Sequence, residues 1–457
     1  MQPEIGRIAE ATESRSAAGI AAAVNRLIKS GDLPAGSRLP TVRVLAAALG
    51  TSPTTVNEAW RSLIRIGSVR TDGRNGSFVA DRQLTRFPGR FWRIAGTAGK
   101  FGIDLSSGTP DPELLPAPTD ITVALRRGHQ VSGYLDPSVL PELEELIRRC
   151  WQSIGEPECV TVVDGSLDAV DRVLTSMVRL GDRVLVENPT FPPFLDLLEL
   201  IGAEPVAVEV DAEGMRPDLL REVLVGLAHP PTVALLQPTA HNPTGASMTP
   251  ARVRQIAAVI RADAPNCVIV EDDHAGDIAA SPPVSLASQL PGQTVLVRSF
   301  SKAYGPDLRL AALGGPAELI EPIIARRNLG PAWSSRLLQQ LLAGMLADPR
   351  CHDQVARARR TYAARRAALV DALARHSVPV AAGDGFNMWI EVAQERDALV
   401  VLAAQGIGAA PGRPFLAAPL PGEHLRITTA TLAVTDAERV AAALADAARQ
   451  RHGPLHR

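Results

Sequence analysis

Lysine is nearly missing from this chain. Of 47 basic residues among 457, only Lys29, Lys100 and Lys302 are lysines. Where arginine serves for positive charge, a surviving lysine points to chemistry that arginine cannot do. Cysteine is scarce too: Cys150, Cys159, Cys267 and Cys351 are scattered without metal-type spacing. Neither a zinc site nor a disulfide framework follows, and isolated thiols are expected. No apolar run approaches the roughly 18 to 20 residues that span a bilayer. The opening residues, MQPEIGRIAEATESRS, lack the apolar core of a signal peptide. These absences lead to the expectation of a cytoplasmic protein with no metal and no membrane partner.

The chain is longer than one hydrophobic core usually serves, so two or more domains are expected. Its formal net charge of -2 hides an asymmetry. Up to Arg93 there are 14 Lys/Arg against 7 Asp/Glu, and beyond it 33 against 42. A basic head on an acidic body raises the expectation of a nucleic-acid partner at one end.

Residues 1–80 carry the signs of such a head. Ile20, Val24, Leu27 and Ile28 recur at helical spacing before the breaker-rich SGDLPAGSRLP. A second helix is predicted in TVRVLAAALG, closed by Gly50. In TSPTTVNEAWRSLIRIG, Ser52 is a good N-cap, Pro53 suits the first helical position, and Val56, Ala59, Trp60 and Leu63 form an apolar face. Thr54, Thr55, Asn57 and Arg61 remain on the other face, side-chain types that read base edges and phosphates. SVRTDGRNGSFVA then predicts a β-hairpin with Arg74 at its tip. Three helices and a basic hairpin make a winged helix-turn-helix. The stretch GDLPAGSRLPTVRVLAAALGTSPTTVNEAWRSLIRIGSV resembles the DNA-binding domain of GntR-type bacterial repressors. That resemblance implies phosphate contacts from Arg38 and Arg43, entry of the helix from Ser52 into the major groove, and the hairpin along the minor groove.

Residues 81–102 lack periodicity and read as a linker, part of which is expected to dock through Phe87, Phe91 and Trp92. From 103 to 457, apolar runs such as VTVVDG, RVLVENP, TVALLQP, CVIVEDD and TVLVRSF alternate with amphipathic helices. The pattern predicts an α/β domain on a mostly parallel sheet, with its ligand at the carboxyl ends of the strands. Lys302 follows one such run, and a lysine can join an aldehyde where arginine cannot. Asp272 is suited to hold a pyridine nitrogen protonated, and the Asn242 amide to donate to a phenolate oxygen. Gly165 and Ser166 begin a helix fit for a phosphate, Arg309 reaches the same phosphate, and Phe191 offers a stacking face. Aldehyde, pyridinium, phenolate and phosphate are the parts of pyridoxal 5′-phosphate (PLP).

The body resembles the aspartate aminotransferase-like PLP proteins (fold type I) from IDLSSGTPDPELLP through GYLDPSVLPELEELI to HLRITTA. The resemblance implies that Lys302 forms the Schiff base and that Ser299 and Ser301 flank it at the cofactor. It also implies that Arg426 grips an effector carboxylate and that Tyr134 reaches across a dimer interface. Where the family usually has tyrosine, this chain has His274, whose neutral imidazole can donate to the phenolate but with different reach. A GntR-type head on such a body resembles the MocR subfamily of bacterial regulators. That likeness implies a head-to-tail homodimer reading an operator with two half-sites, its effector being PLP or a PLP-reactive amino compound. The alternative is a working aminotransferase that merely carries a DNA-binding head.

Overall fold

Capping residues set the boundaries of the N-terminal helices. Helix α1 spans Pro3–Ala11, α2 Ala17–Ser30, α3 Val42–Leu49 and α4 Pro53–Arg65. At α2 the Ser16 hydroxyl accepts from Gly19 N at 3.1 Å, and at α4 the Ser52 hydroxyl accepts from Thr55 N at 3.1 Å. Each satisfies one amide that a helix start leaves orphaned. Gly31 and Gly50 close α2 and α3 in the left-handed conformation, with φ of 89° and 62°. Val56, Ala59, Trp60 and Leu63 are buried with Ile8, Ile20, Val24, Leu45 and Leu49 in one core. The Trp60 indole donates to Pro40 O at 3.3 Å, so burying it strands no polar atom. Strands β1 (Val69–Thr71) and β2 (Ser77–Val79) pair antiparallel. Helix α1 is additional to the three helices expected from the sequence; the Ile5 and Ile8 spacing, both residues buried, is its signal.

The structure is a computed structural model that describes residues 3–72, 76–80, 89–90, 101–117, 133–381 and 383–449. Arg74, Phe87, Phe91, Trp92 and Lys100 lie outside the described residues. The chain divides into two compact units, one of Met1–Gly89 with Val178–Arg183 and Leu195–Pro205, the other of the remaining residues.

The second unit opens with β3 (Ile103–Asp104) and is organised by an eight-stranded sheet. Its strands are β4 (Cys159–Val163), β5 (Arg183–Asn188), β6 (Glu204–Asp211), β7 (Gly214–Met215), β8 (Val233–Leu236), β9 (Val268–Asp273), β10 (Thr294–Ser299) and β11 (Ala311–Gly315). Their order is β4-β11-β10-β9-β8-β5-β6-β7. Strands β5, β8, β9 and β10 run parallel at the centre. Strand β11 is antiparallel to both β10 and β4. It follows that β4 runs with β10, so the carboxyl ends of β4, β5, β8, β9 and β10 and the start of β11 share one edge. Strands β8 and β10 are buried throughout, which is why their sequences are continuous apolar runs rather than alternating ones.

A smaller antiparallel sheet has the order β12 (Asn387–Val392), β15 (Glu423–Thr428), β14 (Ala410–Pro411), while β13 (Ile407–Gly408) pairs with β3. It packs Met388, Ile390, Leu425 and Ile427 against Leu369, Leu373, Val440 and Leu444. All four cysteines are free thiols. Among the described residues no helix is long and apolar enough to cross a membrane, and no cluster of three or more His, Cys, Asp or Glu residues is placed to hold a metal ion.

Candidate cofactor site

The strand edge gathers most of the chemistry. After β10 the chain makes a short helical turn, Ser301–Tyr304, that carries Lys302. It reverses through Gly305 and returns at Arg309 into β11. Because β11 is antiparallel, a residue seven positions after Lys302 comes back to the same edge. The Lys302 ammonium donates to Gly108 O and lies 5.3 Å from the centroid of the Phe386 ring. Burial pushes its pKa down to about 8, with help from the Arg426 charge and opposition from Asp272. An amine with that pKa is neutral in roughly one molecule in ten at pH 7, far more than an ordinary lysine.

Asp272, on β9, is buried, and burial pushes its carboxyl up to about 7 against the hydrogen bonds from Gln237 and Ser166. Its Oδ2 accepts from Gln237 Nε2 at 2.9 Å, while Oδ1 has no partner among the described residues. A buried carboxylate oxygen without a donor is costly. The Asn242 Oδ1 is likewise buried and unpartnered. A protonated ring nitrogen is the donor that Asp272 Oδ1 lacks, so this carboxyl fits PLP.

The phosphate end is defined by close approach. Gly165 has φ 110°, and a Cβ there would lie 2.7 Å from Arg309 Nη2. Arg309 is itself left-handed, φ 49°, and its Nη2 donates to Asp164 O at 3.2 Å. Glycine at 165 therefore lets the guanidinium approach the turn that begins the helix Ser166–Met177. Helix dipole, amides and guanidinium together form an anion cradle.

His274 has a definite tautomer. Its Nε2 lies 2.9 Å from Ala240 O, and a carbonyl oxygen only accepts, so Nε2 carries the proton and Nδ1 the lone pair. Burial, reinforced by Lys302, pushes the imidazole down to about 4. The donor expected from the sequence to face a phenolate is thus committed to the backbone. Arg426, on β15, is buried over the Phe415 ring at 5.5 Å. It donates through Nη2 to Ser106 O and approaches Asn387 Oδ1 at 3.4 Å through Nη1. Its Nε has no partner among the described residues. Burial pushes Arg426 down to about 10, against the opposite pull of Asp104.

Phe191 packs edge-on against Phe194 at 5.3 Å. Ser299 ends β10, its hydroxyl accepting from Ser301 N at 3.4 Å. Tyr134 does not join this group on a single chain: it is 90 % exposed, its ring against Trp333. In the head, Arg38, Arg43, Ser52, Thr54 and Arg61 are exposed, while Thr55 and Asn57 are half-buried. The Ser52 hydroxyl also meets the Thr55 hydroxyl at 2.8 Å, which commits both to the helix start.

Sequence reasoning missed Gly108, Gln237, Phe386, Asn387 and a buried pair beneath the site. Glu187 Oε2 accepts from Gln237 N at 2.8 Å and lies 3.4 Å from His241 Nε2. Burial raises Glu187 to about 8 and lowers His241 to about 3. At neutral pH the contact therefore joins a protonated acid to a neutral imidazole and is not an ion pair. Because the folded pKa of Glu187 lies above its ordinary value, the stability it contributes is complete below about pH 4.5 and is lost as pH rises through about 8. Glu187→Gln keeps an acceptor for Gln237 N. In urea unfolding it is expected to gain on the wild type between pH 5 and pH 8, by on the order of 3 kcal/mol. Identical pH slopes in the two proteins would refute the protonated acid.

Residues 101–444 match the family described as aminotransferase class I and II, and residues 16–79 match the bacterial regulatory proteins of the gntR family. The chain is 32% identical over 433 residues to the vitamin B6 salvage pathway transcriptional repressor PtsJ of Salmonella typhimurium, covering 94% of this chain and 98% of that one. It is 28% identical to the HTH-type transcriptional regulator TauR of Rhodobacter capsulatus, over 85% of this chain and 87% of that one. In fold the body is similar to a kynurenine aminotransferase of Pyrococcus horikoshii, with TM-score 0.71 and 21% identity, covering 79% of this chain and 93% of that one. The α-aminoadipate aminotransferase LysN of Thermus thermophilus, solved with N-(5′-phosphopyridoxyl)-L-leucine, gives TM-score 0.69 and 23% identity over 79% of this chain and 94% of that one. A GntR head joined to a class I and II aminotransferase body, in a chain related end to end to such regulators, makes this protein a member of the MocR subfamily.

Proposed function

We propose that this chain is a cytoplasmic transcription regulator that binds double-stranded DNA through its head and PLP through its body, and that occupancy of the body site changes operator binding. The observation carrying this reading is the cradle around Lys302: a buried oxygen on Asp272 unpartnered among the described residues, and Arg309 at a helix start that only glycine leaves open. When bound, PLP supplies an aldehyde open to amines and a ring that withdraws electrons. Lys302 supplies the amine for covalent capture, Asp272 holds a proton at the ring nitrogen, and Arg309 with the Ser166 helix holds the phosphate. Arg426 binds a carboxylate if the effector carries one.

PLP itself is the favoured signal, supported by likeness to a repressor named for vitamin B6 salvage. A PLP-reactive amino compound is the other effector class. Linkage supplies the physical logic: a ligand that favours one arrangement of the chain shifts DNA affinity by the same coupling free energy. The exposed Tyr134 is the residue we assign to a partner subunit's site in a head-to-tail homodimer reading two half-sites. One observation favours the second reading, an active aminotransferase: the Lys302 amine, at about 8, is suited to proton transfer.

The test is a PLP titration of the purified protein that follows visible absorbance and binding to the DNA upstream of its own gene together, first alone and then with a panel of amino acids. Operator affinity is expected to change as PLP or an amine fills the site, with no accumulation of keto acid. Keto acid over many turnovers, with DNA binding indifferent, would establish the enzyme instead.

A further inference from the structure

Gln237 follows the last residue of β8 and is 1% exposed. All of its polar groups but one are committed at a single point where three strands end. Its backbone N–H donates to Glu187 Oε2, on β5, at 2.8 Å. Its side-chain Nε2 donates to Asp272 Oδ2, on β9, at 2.9 Å. Its Oε1 accepts from Asn242 N at 3.0 Å. The orientation of this amide is fixed by Asn242, since a peptide N–H can only donate, which leaves Nε2 to face Asp272.

We propose that Gln237 is a positioning residue that locks Asp272 and Asn242 into one frame beneath the PLP ring, an inference that rests on the PLP reading above. Asp272 and Asn242 each present an unpartnered oxygen. The direction of the Asp272 oxygen is set from the other side of its carboxylate by the glutamine amide, which at its other end holds the backbone of Asn242. Glutamate at this position has the shape but no donor for Asp272; leucine has the volume but neither donor nor acceptor; asparagine is one methylene short. A group that must face a ring nitrogen within a few tenths of an ångström depends on such a second layer, because a carboxylate held by one hydrogen bond fewer is free to rotate.

The experiment uses the full-length chain with two ligands, PLP and its 1-deaza analogue, in which the ring nitrogen is replaced by CH. Dissociation constants come from visible absorbance and from quenching of intrinsic fluorescence, and melting of the unbound protein reports on folding. Gln237→Leu is expected to weaken PLP by about tenfold or more, the usual effect of losing a hydrogen bond to a charged group. It is expected to weaken the deaza analogue much less, and to add little in an Asp272→Asn background. Equal penalties for both ligands, or additivity with Asp272→Asn, would overturn the proposal. Should Gln237→Leu fail to fold, the isosteric Gln237→Glu takes its place. Two carboxyl groups at hydrogen-bonding distance cannot both be charged, so the pH profile of PLP binding is expected to gain an ionisation, and a wild-type profile counts against the proposal. Absence of PLP uptake by the wild type overturns the functional reading and this proposal with it, whereas uptake unaffected by Gln237→Leu overturns this proposal alone.

Discussion

Lys302→Ala is expected to abolish covalent capture of PLP. After borohydride reduction, the intact mass of the wild type should rise by one reduced cofactor per chain and that of the variant by none. The effect is large because Lys302 is the only lysine among the described residues of the body. Arginine cannot substitute, since its guanidinium is never deprotonated at working pH. Folding should survive, because the hydrogen bond lost is the one from the Lys302 ammonium to Gly108 O, whose removal costs about 1 kcal/mol. Non-covalent binding through Arg309 and Asp272 should persist at lower affinity, giving free-aldehyde absorbance rather than the wild-type band. An adduct of unchanged mass on the variant would move the assignment to another nucleophile. Operator binding of the variant is further expected to lose its response to amines while keeping its basal strength, since the head does not contain Lys302.

The sequence was most informative where structure is local. Ser52, Pro53 and Gly50 bound their helices in the observed conformations because caps act within a few residues. The strand-end residues Lys302, Asp272 and Asn242 were legible because a parallel sheet gathers its carboxyl ends at one edge, whatever the loops between them do. The less visible parts depend on contacts between distant positions. Gly108 O meets Lys302 across 194 residues, and Ser106 O meets Arg426 across 320. No periodicity encodes such a pairing. Gln237 and Glu187 looked like strand-end residues of no special kind, since their importance lies in partners 35 and 50 residues away. The His274 tautomer was equally hidden, being fixed by the carbonyl of Ala240, a left-handed residue 34 positions earlier.

Arg43→Ala and Arg61→Ala are expected to weaken operator binding strongly and leave PLP affinity unchanged. Both arginines are exposed on the helices we propose to face DNA, with Thr54, Asn57 and Arg61 at i, i+3 and i+7 along α4. The opposite face of α4 is locked into the head core by Val56, Trp60 and Leu63. Truncating either arginine therefore removes charge and reach without opening a cavity, and unfolding should be little changed. Each lost contact is worth roughly 1 to 3 kcal/mol, on the order of tenfold or more in affinity per half-site. Salt dependence separates two roles. A phosphate contact by Arg43 predicts that its removal lowers the slope of log affinity against log salt by about one and weakens all sequences alike. A base contact by Arg61 predicts a largely retained slope and relaxed discrimination at one operator position. Anisotropy titrations over a salt series, on operator and scrambled DNA, read both quantities from the same samples. Wild-type affinity in both variants would remove α4 from the groove, and a fall in PLP affinity would show that head and body sites are not separable by mutation.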